Sequence, residues 1–142
     1  MQLQQVMTTE VVTISADESL ERVRELFEEH GFHHLLVIDK GRPVGVVSNH
    51  DLLRNLSPFI GKINERAQDA FLLRRRAHQI MGRRLLTAPP TMPVRDAAHL
   101  MLERNLNCLP VVDDRGHCVG IVTGRDLLRY LADHAIESEV AA

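Results

Sequence analysis

Two hydroxyl and carboxylate pairs recur in this chain at one spacing, Ser48 with Asp51 and Thr123 with Asp126. Each pair follows a glycine by three positions, Gly45 and Gly120, inside a decamer that occurs twice: GVVSNHDLLR at 45–54 and GIVTGRDLLR at 120–129, with six of ten positions identical. In each copy an apolar β run stops at the hydroxyl residue and turns into a helix whose first turn carries the carboxylate. Such a junction can hold an anion. Open backbone N–H groups and the positive end of the helix dipole face it, the hydroxyl can donate to a phosphate, and the carboxylate can accept from a sugar diol. The same spacing is also the general form of a helix N-cap with an acidic first turn, which needs no ligand. The repetition and the two glycines, whose missing side chains let something approach the backbone closely, favour binding.

Other chemistry is weaker. His30, His33 and His34 are close in sequence, but adjacent strand positions point to opposite faces and no cysteine pair has zinc-like spacing, so no metal site is expected. Cys108 and Cys118 fall within or beside apolar runs and read as reduced core thiols. Ser48 has no recognisable activating partner and no local nucleophile and base set exists, so the chain is read as a non-enzyme. Arg74, Arg75 and Arg76, consecutive on an expected helix, point in three directions and suit a solvated surface better than a nucleic-acid patch. Seventeen Lys and Arg against nineteen Asp and Glu give a net charge of -2, with no global attraction to nucleic acid or an anionic membrane. An aromatic content of 4% with no Trp argues against base-stacking platforms. No apolar run reaches membrane-spanning length and the start lacks a secretory pattern, so a cytoplasmic location is expected.

The elements that must position the two junctions also come in pairs. The 142 residues are 44% hydrophobic and 25% charged, ordinary for one compact core. Met7 to Ile14 is β-prone after a start expected to fray. Ser15 to Glu18 fits a capping box, and Leu20, Val23, Leu26 and Phe27 repeat at three and four, giving an amphipathic helix from about 17 to 30 that Gly31 ends. Leu35 to Ile38 and Val44 to Val47 flank DKGRP as a hairpin, and Leu52, Leu53 and Leu56 give a short helix. The second half replays this order at an offset of 74, which becomes 75 after one extra residue in the turn at 113–116; Val94, Ala97, Leu100 and Met101 mark its amphipathic helix. Asn64 could cap a further helix running to Ile80. The expected division is a first repeat at 1–56, a linker with a helix at 57–79, a second repeat at 80–133 and a tail at 134–142. The fold class is α/β (α+β), two pseudo-symmetric β-α-β-β-α repeats, each too small to fold alone, packed through their sheets.

In this order, twice, the chain resembles a tandem pair of cystathionine β-synthase (CBS) domains, the Bateman module. The resemblance runs from about Val6 to Leu131 and is carried by Val-Met at 6–7, Ile-Met at 80–81, HHLLVID at 33–39, NCLPVVD at 107–113 and the two decamers. It implies regulatory binding of AMP, ADP, ATP or S-adenosylmethionine in clefts between the repeats, with no catalytic cofactor. On that reading Asp51 and Asp126 accept from ribose hydroxyls and Ser48 and Thr123 donate to phosphate. Backbone near Thr13 and Ile14, or Thr87 and Ala88, reads the adenine edge, and His34 with Leu35, or Cys108 with Leu109, forms the opposite wall. Arg125 is a phosphate partner, with Arg83 and Arg84 in reach. The first copy departs from the pattern, with Leu36 where the second has Pro110 and His50 where it has Arg125. A neutral imidazole neutralises phosphate less than a guanidinium does, so the Thr123 and Asp126 site is expected to hold a charged nucleotide more tightly. The resemblance further implies a disc-like homodimer, with the two amphipathic helices as contact elements because Phe27 and Met101 are equivalent, and a signal passed to a separate protein. A different class of function shares the fold: a structural dimerisation or interaction module whose clefts are empty.

Overall fold

The computed structural model describes residues 1–31, 33–56 and 66–141, with side chains described for all of these except 68 and 135–141. The contacts divide the chain into two compact units, Val12–Leu85 and Met1–Val11 with Leu86–Ala142.

In the first unit, β1 (Thr13–Ile14), β2 (His34–Asp39) and β3 (Arg42–Ser48) form a sheet in that order, with β1 parallel to β2 and β2 antiparallel to β3. The hairpin turns at Lys40 and Gly41, whose φ values of 53° and 78° suit the tight mirror-image turn that matches strand twist. Leu35, Val37 and Val47 face inward and are fully buried. Against them packs α1 (Leu20–His30), through the predicted stripe of Leu20, Val23, Leu26 and Phe27, each at most 7% exposed. Gly31 ends the helix in the left-handed conformation, φ 69°, its N–H donating to the Phe27 carbonyl.

The start of α1 differs from expectation. Ser19, not Ser15, is the cap, its Oγ accepting from the Arg22 N–H at 3.2 Å. Residues 16–20 are held instead by a later segment: the Leu20 N–H donates to the Arg75 carbonyl, and the Ala77 and His78 N–H groups donate to the Glu18 and Ala16 carbonyls. That pairing also divides the helix expected through Ile80. The proposed cap at Asn64 lies outside the described residues. Beyond it run α3 (Ala67–Phe71), a single 3-10 turn at Leu72–Arg74, extended Arg75 and Arg76, then α4 (Ala77–Ile80). A short α2 (Asn49–Asn55) follows β3.

The second unit repeats the plan with α5 (Val94–Glu103), the antiparallel hairpin of β4 (Cys108–Val112) and β5 (Cys118–Thr123), and α6 (Gly124–Ala141). In place of a named strand equivalent to β1, Ala88 makes one parallel bridge to Val111. The chain start does not fray. Leu3 is fully buried with Ala88, Val94, Ala97, Met101, Leu109, Val111 and Val122, the Leu3 N–H donates to the Met92 carbonyl and the Val94 N–H to that of Met1. Phe27 and Met101 are core residues of their own units, 7% and 5% exposed, so they do not supply an exposed contact stripe. Among the described residues no helix is long and apolar enough to cross a membrane.

Candidate functional site

Each hairpin delivers its hydroxyl residue to the end of a strand. Ser48 closes β3 and caps α2: its Oγ accepts from the Asp51 N–H, and its own N–H donates to Asp51 Oδ2, both at 3.0 Å. Thr123 closes β5 in the same way, donating N–H to Asp126 Oδ2 at 3.0 Å and accepting from the Asp126 N–H at 3.4 Å. The reciprocal cap and the proposed ligand groups are thus the same atoms, and the two sequence readings meet at one place in each repeat.

What surrounds the carboxylates differs. Asp51 Oδ1 faces Arg54 at 3.2 Å, and the Asp51 side chain is 23% exposed. Burial is the largest single influence on this carboxyl and works to raise it, but the Ser48 N–H and hydroxyl together with Arg54 outweigh it, so Asp51 lies below its ordinary value. Asp126 is 4% exposed and holds two more donors on Oδ1, the Thr8 hydroxyl at 3.0 Å and Arg129 at 3.5 Å. Thr8 was not identifiable as a site residue from its own type. The signal that could have found it is the alignment of Met7 with Met81, which sets Thr8 opposite Gly82.

Strand register brings His34 beside Ser48 and Cys108 beside Thr123, so one wall residue of each predicted set adjoins its junction. Burial, reinforced by His33 and opposed by Asp51, lowers the His34 pKa and favours the neutral ring. Burial pushes the Cys108 thiol up to about 11. Leu35 and Leu109 are fully buried in their cores and leave only backbone to face a ligand. Thr13 and Thr87 are exposed, whereas Ile14 and Ala88 are buried; the Ala88 N–H and carbonyl are both engaged, with Pro110 and Val112. His50 and Arg125 stand exposed in the first turns of α2 and α6. Arg83 donates to the His78 carbonyl at 2.8 Å, and Arg84 is exposed. Gly45 and Gly120 are buried, with Met81 and Met7 filling the space beside them.

Elsewhere, a surface groove of about 560 Å³ lies between α5 and α6, lined chiefly by Val94, Ala98, Leu127, Leu128 and Leu131. It contains none of the predicted ligand residues. Among the described residues no group of three or more His, Cys, Asp or Glu is placed to hold a metal ion.

Known proteins share this fold. Residues 3–58 and 77–133 each match the CBS domain. A CBS domain-containing protein of Dictyostelium discoideum is 33% identical over 131 residues, 91% of this chain and 90% of that one. The solved CBS domain pair of protein MJ0100, in complex with 5′-methylthioadenosine and S-adenosyl-L-methionine, superposes with a TM-score of 0.75 at 25% identity, covering 94% of this chain and 97% of its own. CBSX2 in complex with AMP superposes with a TM-score of 0.76 at 27% identity, covering 93% and 96%. With both halves matched and the same junction built at the end of each hairpin, this chain belongs to the CBS domain family.

Proposed function

We propose that this chain is a non-enzymatic regulatory CBS pair that binds an adenosine-containing ligand, AMP, ADP, ATP or S-adenosylmethionine, and signals by a change in conformation or association. The observation that carries this reading is the Asp51 carboxylate. It is partly exposed, held ionised by its neighbours and aligned with the Ser48 hydroxyl, which suits a ribose diol beside a phosphate or sulfonium-bearing tail. The complexes of MJ0100 and CBSX2, both adenosine compounds, support the ligand class. Leu102, Leu128 and Leu131, exposed on α5 and α6, offer apolar surface for association with a second copy or a regulated protein.

The test is thermal unfolding with each of the four ligands on wild type and on Asp51→Asn, which keeps a capping side chain. A ligand at one hundred times its dissociation constant adds about 2.7 kcal/mol and raises the midpoint by roughly 5 to 10 °C. A selective rise that Asp51→Asn removes supports the sensor. The closed hydrogen bonding of both capping boxes favours a second reading, a structural module in which the carboxylates only cap helices. That reading requires no rise with any ligand and a lower midpoint for ligand-free Asp51→Ala, which removes the capping side chain.

A further inference from the structure

The two junctions share a backbone plan and differ by one hydroxyl. Thr8 and Gly82 are equivalent. Each follows the methionine that packs on the motif glycine, and each bridges the neighbouring strand, Thr8 to Ile121 and Gly82 to Val46. An ionised carboxylate offers about four acceptor positions. Those of Asp126 are filled: Oδ2 takes the Thr123 N–H and hydroxyl at 3.0 and 3.2 Å, and Oδ1 takes the Thr8 hydroxyl and Arg129 at 3.0 and 3.5 Å. Asp51 takes the Ser48 N–H and hydroxyl and Arg54, one donor fewer, among the described residues. Gly82 has no hydroxyl to add.

We infer that Thr8 is the specificity-determining residue that sets the two repeats apart: its hydroxyl competes with ligand hydroxyls for Asp126, so a vicinal diol is accepted at Asp51 and withheld from Asp126. This rests on the ribose-accepting role proposed above. It reverses the order of affinities expected from Arg125 and His50, because a guanidinium helps a phosphate only once the sugar has a seat. A hydrogen bond to an ionised group is strong enough for a difference on the order of ten- to a hundredfold in affinity. The swap is sterically permitted in both directions. Thr8 is exposed, and a Cβ at Gly82, whose φ is not positive, would meet only the Val46 carbonyl oxygen, at 3.7 Å, among the described residues.

Isothermal titration of the full chain with AMP, and separately with S-adenosylmethionine, tests the inference. Wild type is expected to take about one ligand per chain, Thr8→Val about two, and Thr8→Ser one again, since serine restores the hydroxyl. Gly82→Thr places the hydroxyl beside Asp51 and is expected to weaken the wild-type site at least tenfold; it decides alone if Thr8→Val does not fold. Two equivalent sites in wild type, or a Thr8→Val chain that binds as wild type does, would overturn the inference and leave the binding role standing. Binding by Thr8→Val but not by wild type would also overturn the inference, because Asp51 would then accept no diol. If no form binds either probe, the binding role and the inference fall together.

Discussion

The side chain of Met81 occupies the space beside Gly45 that any larger residue there would need. A Cβ built on Gly45 would lie 2.8 Å from Met81 Cγ and 3.1 Å from the Gly82 carbonyl oxygen; one on Gly120 would lie 2.6 Å from Met7 Sδ and 3.0 Å from the Thr8 carbonyl oxygen. The group that approaches each motif glycine is therefore a short segment of the same unit. It is fixed by paired backbone bonds, Val46 with Gly82 at 3.1 and 2.9 Å, and Thr8 with Ile121 at 2.9 Å in both directions.

Gly45→Ala is expected to destabilise the protein by about 1 to 3 kcal/mol, because the backbone oxygen behind the thioether cannot swing aside. Adding Met81→Ala opens room and should make the pair less than additive. Urea unfolding of the two single variants and the double variant measures this. A midpoint for Gly45→Ala equal to wild type would show that the methionine segment yields.

Ser19→Ala should lower stability by about 1 kcal/mol by removing the acceptor for the Arg22 N–H. Ser15→Ala should stay within about 0.5 kcal/mol, since no capping bond from its side chain is present at the helix start. Equal losses from the two would place the functional start of α1 nearer residue 15.

Local pattern carried most of the architecture. The stripe of Leu20, Val23, Leu26 and Phe27, the glycine at 31 and the two apolar hairpins depend on neighbours within a few residues, and they stand where the spacing put them. Contacts between distant segments were not legible. Ser15 and Ser19 are both competent caps, and only the bonds from residues 75–78 to residues 16–20 select the later one. The first eleven residues looked like the edge of the first repeat, yet Leu3 is buried with Val94 and Leu109; two repeats with equivalent grooves give a terminal segment no local mark of which it will fill. At the site, the hydroxyl and carboxylate pairs were visible because they repeat. Thr8 carries no such mark, because what sets it apart is the absence of a hydroxyl at its counterpart, Gly82.

Cys108 should be slow to react. Burial raises its pKa to about 11 from an ordinary 9.0, so its thiolate fraction at pH 8 is roughly a hundredfold smaller than that of an unperturbed thiol. Cys118 is raised for the same reason. The two cannot pair across the hairpin, because Cys118 lies opposite Val112, four residues or roughly 13 Å along β4 from Cys108. Timed reaction with a chromogenic disulfide at pH 8 should show slow native labelling and rapid labelling of both thiols in denaturant. Fast native labelling of Cys108 would contradict its burial.

Stability should fall on acidification in two steps with different owners. His34 has a folded pKa below 6.5, first because it is buried and then because His33 faces it, with Asp51 pulling the other way. The unfolded chain therefore takes up this proton first, and stability declines as pH falls through about 6.5 towards the lower folded value. Asp51 has a folded pKa below 3.8, so its contribution is complete above that value and is lost only as pH falls through the folded one, a range shared with Asp113, which the His117 N–H above all holds low. Midpoints measured from pH 7.5 to 3 should show His34→Gln flattening the upper decline and leaving the lower one. Asp51→Asn should do the reverse, although it also removes one of the charges facing His34 and so steepens the upper decline slightly. An unchanged slope between pH 7 and 5 in His34→Gln would mean that the ring gains its proton in the folded chain as readily as in the unfolded one.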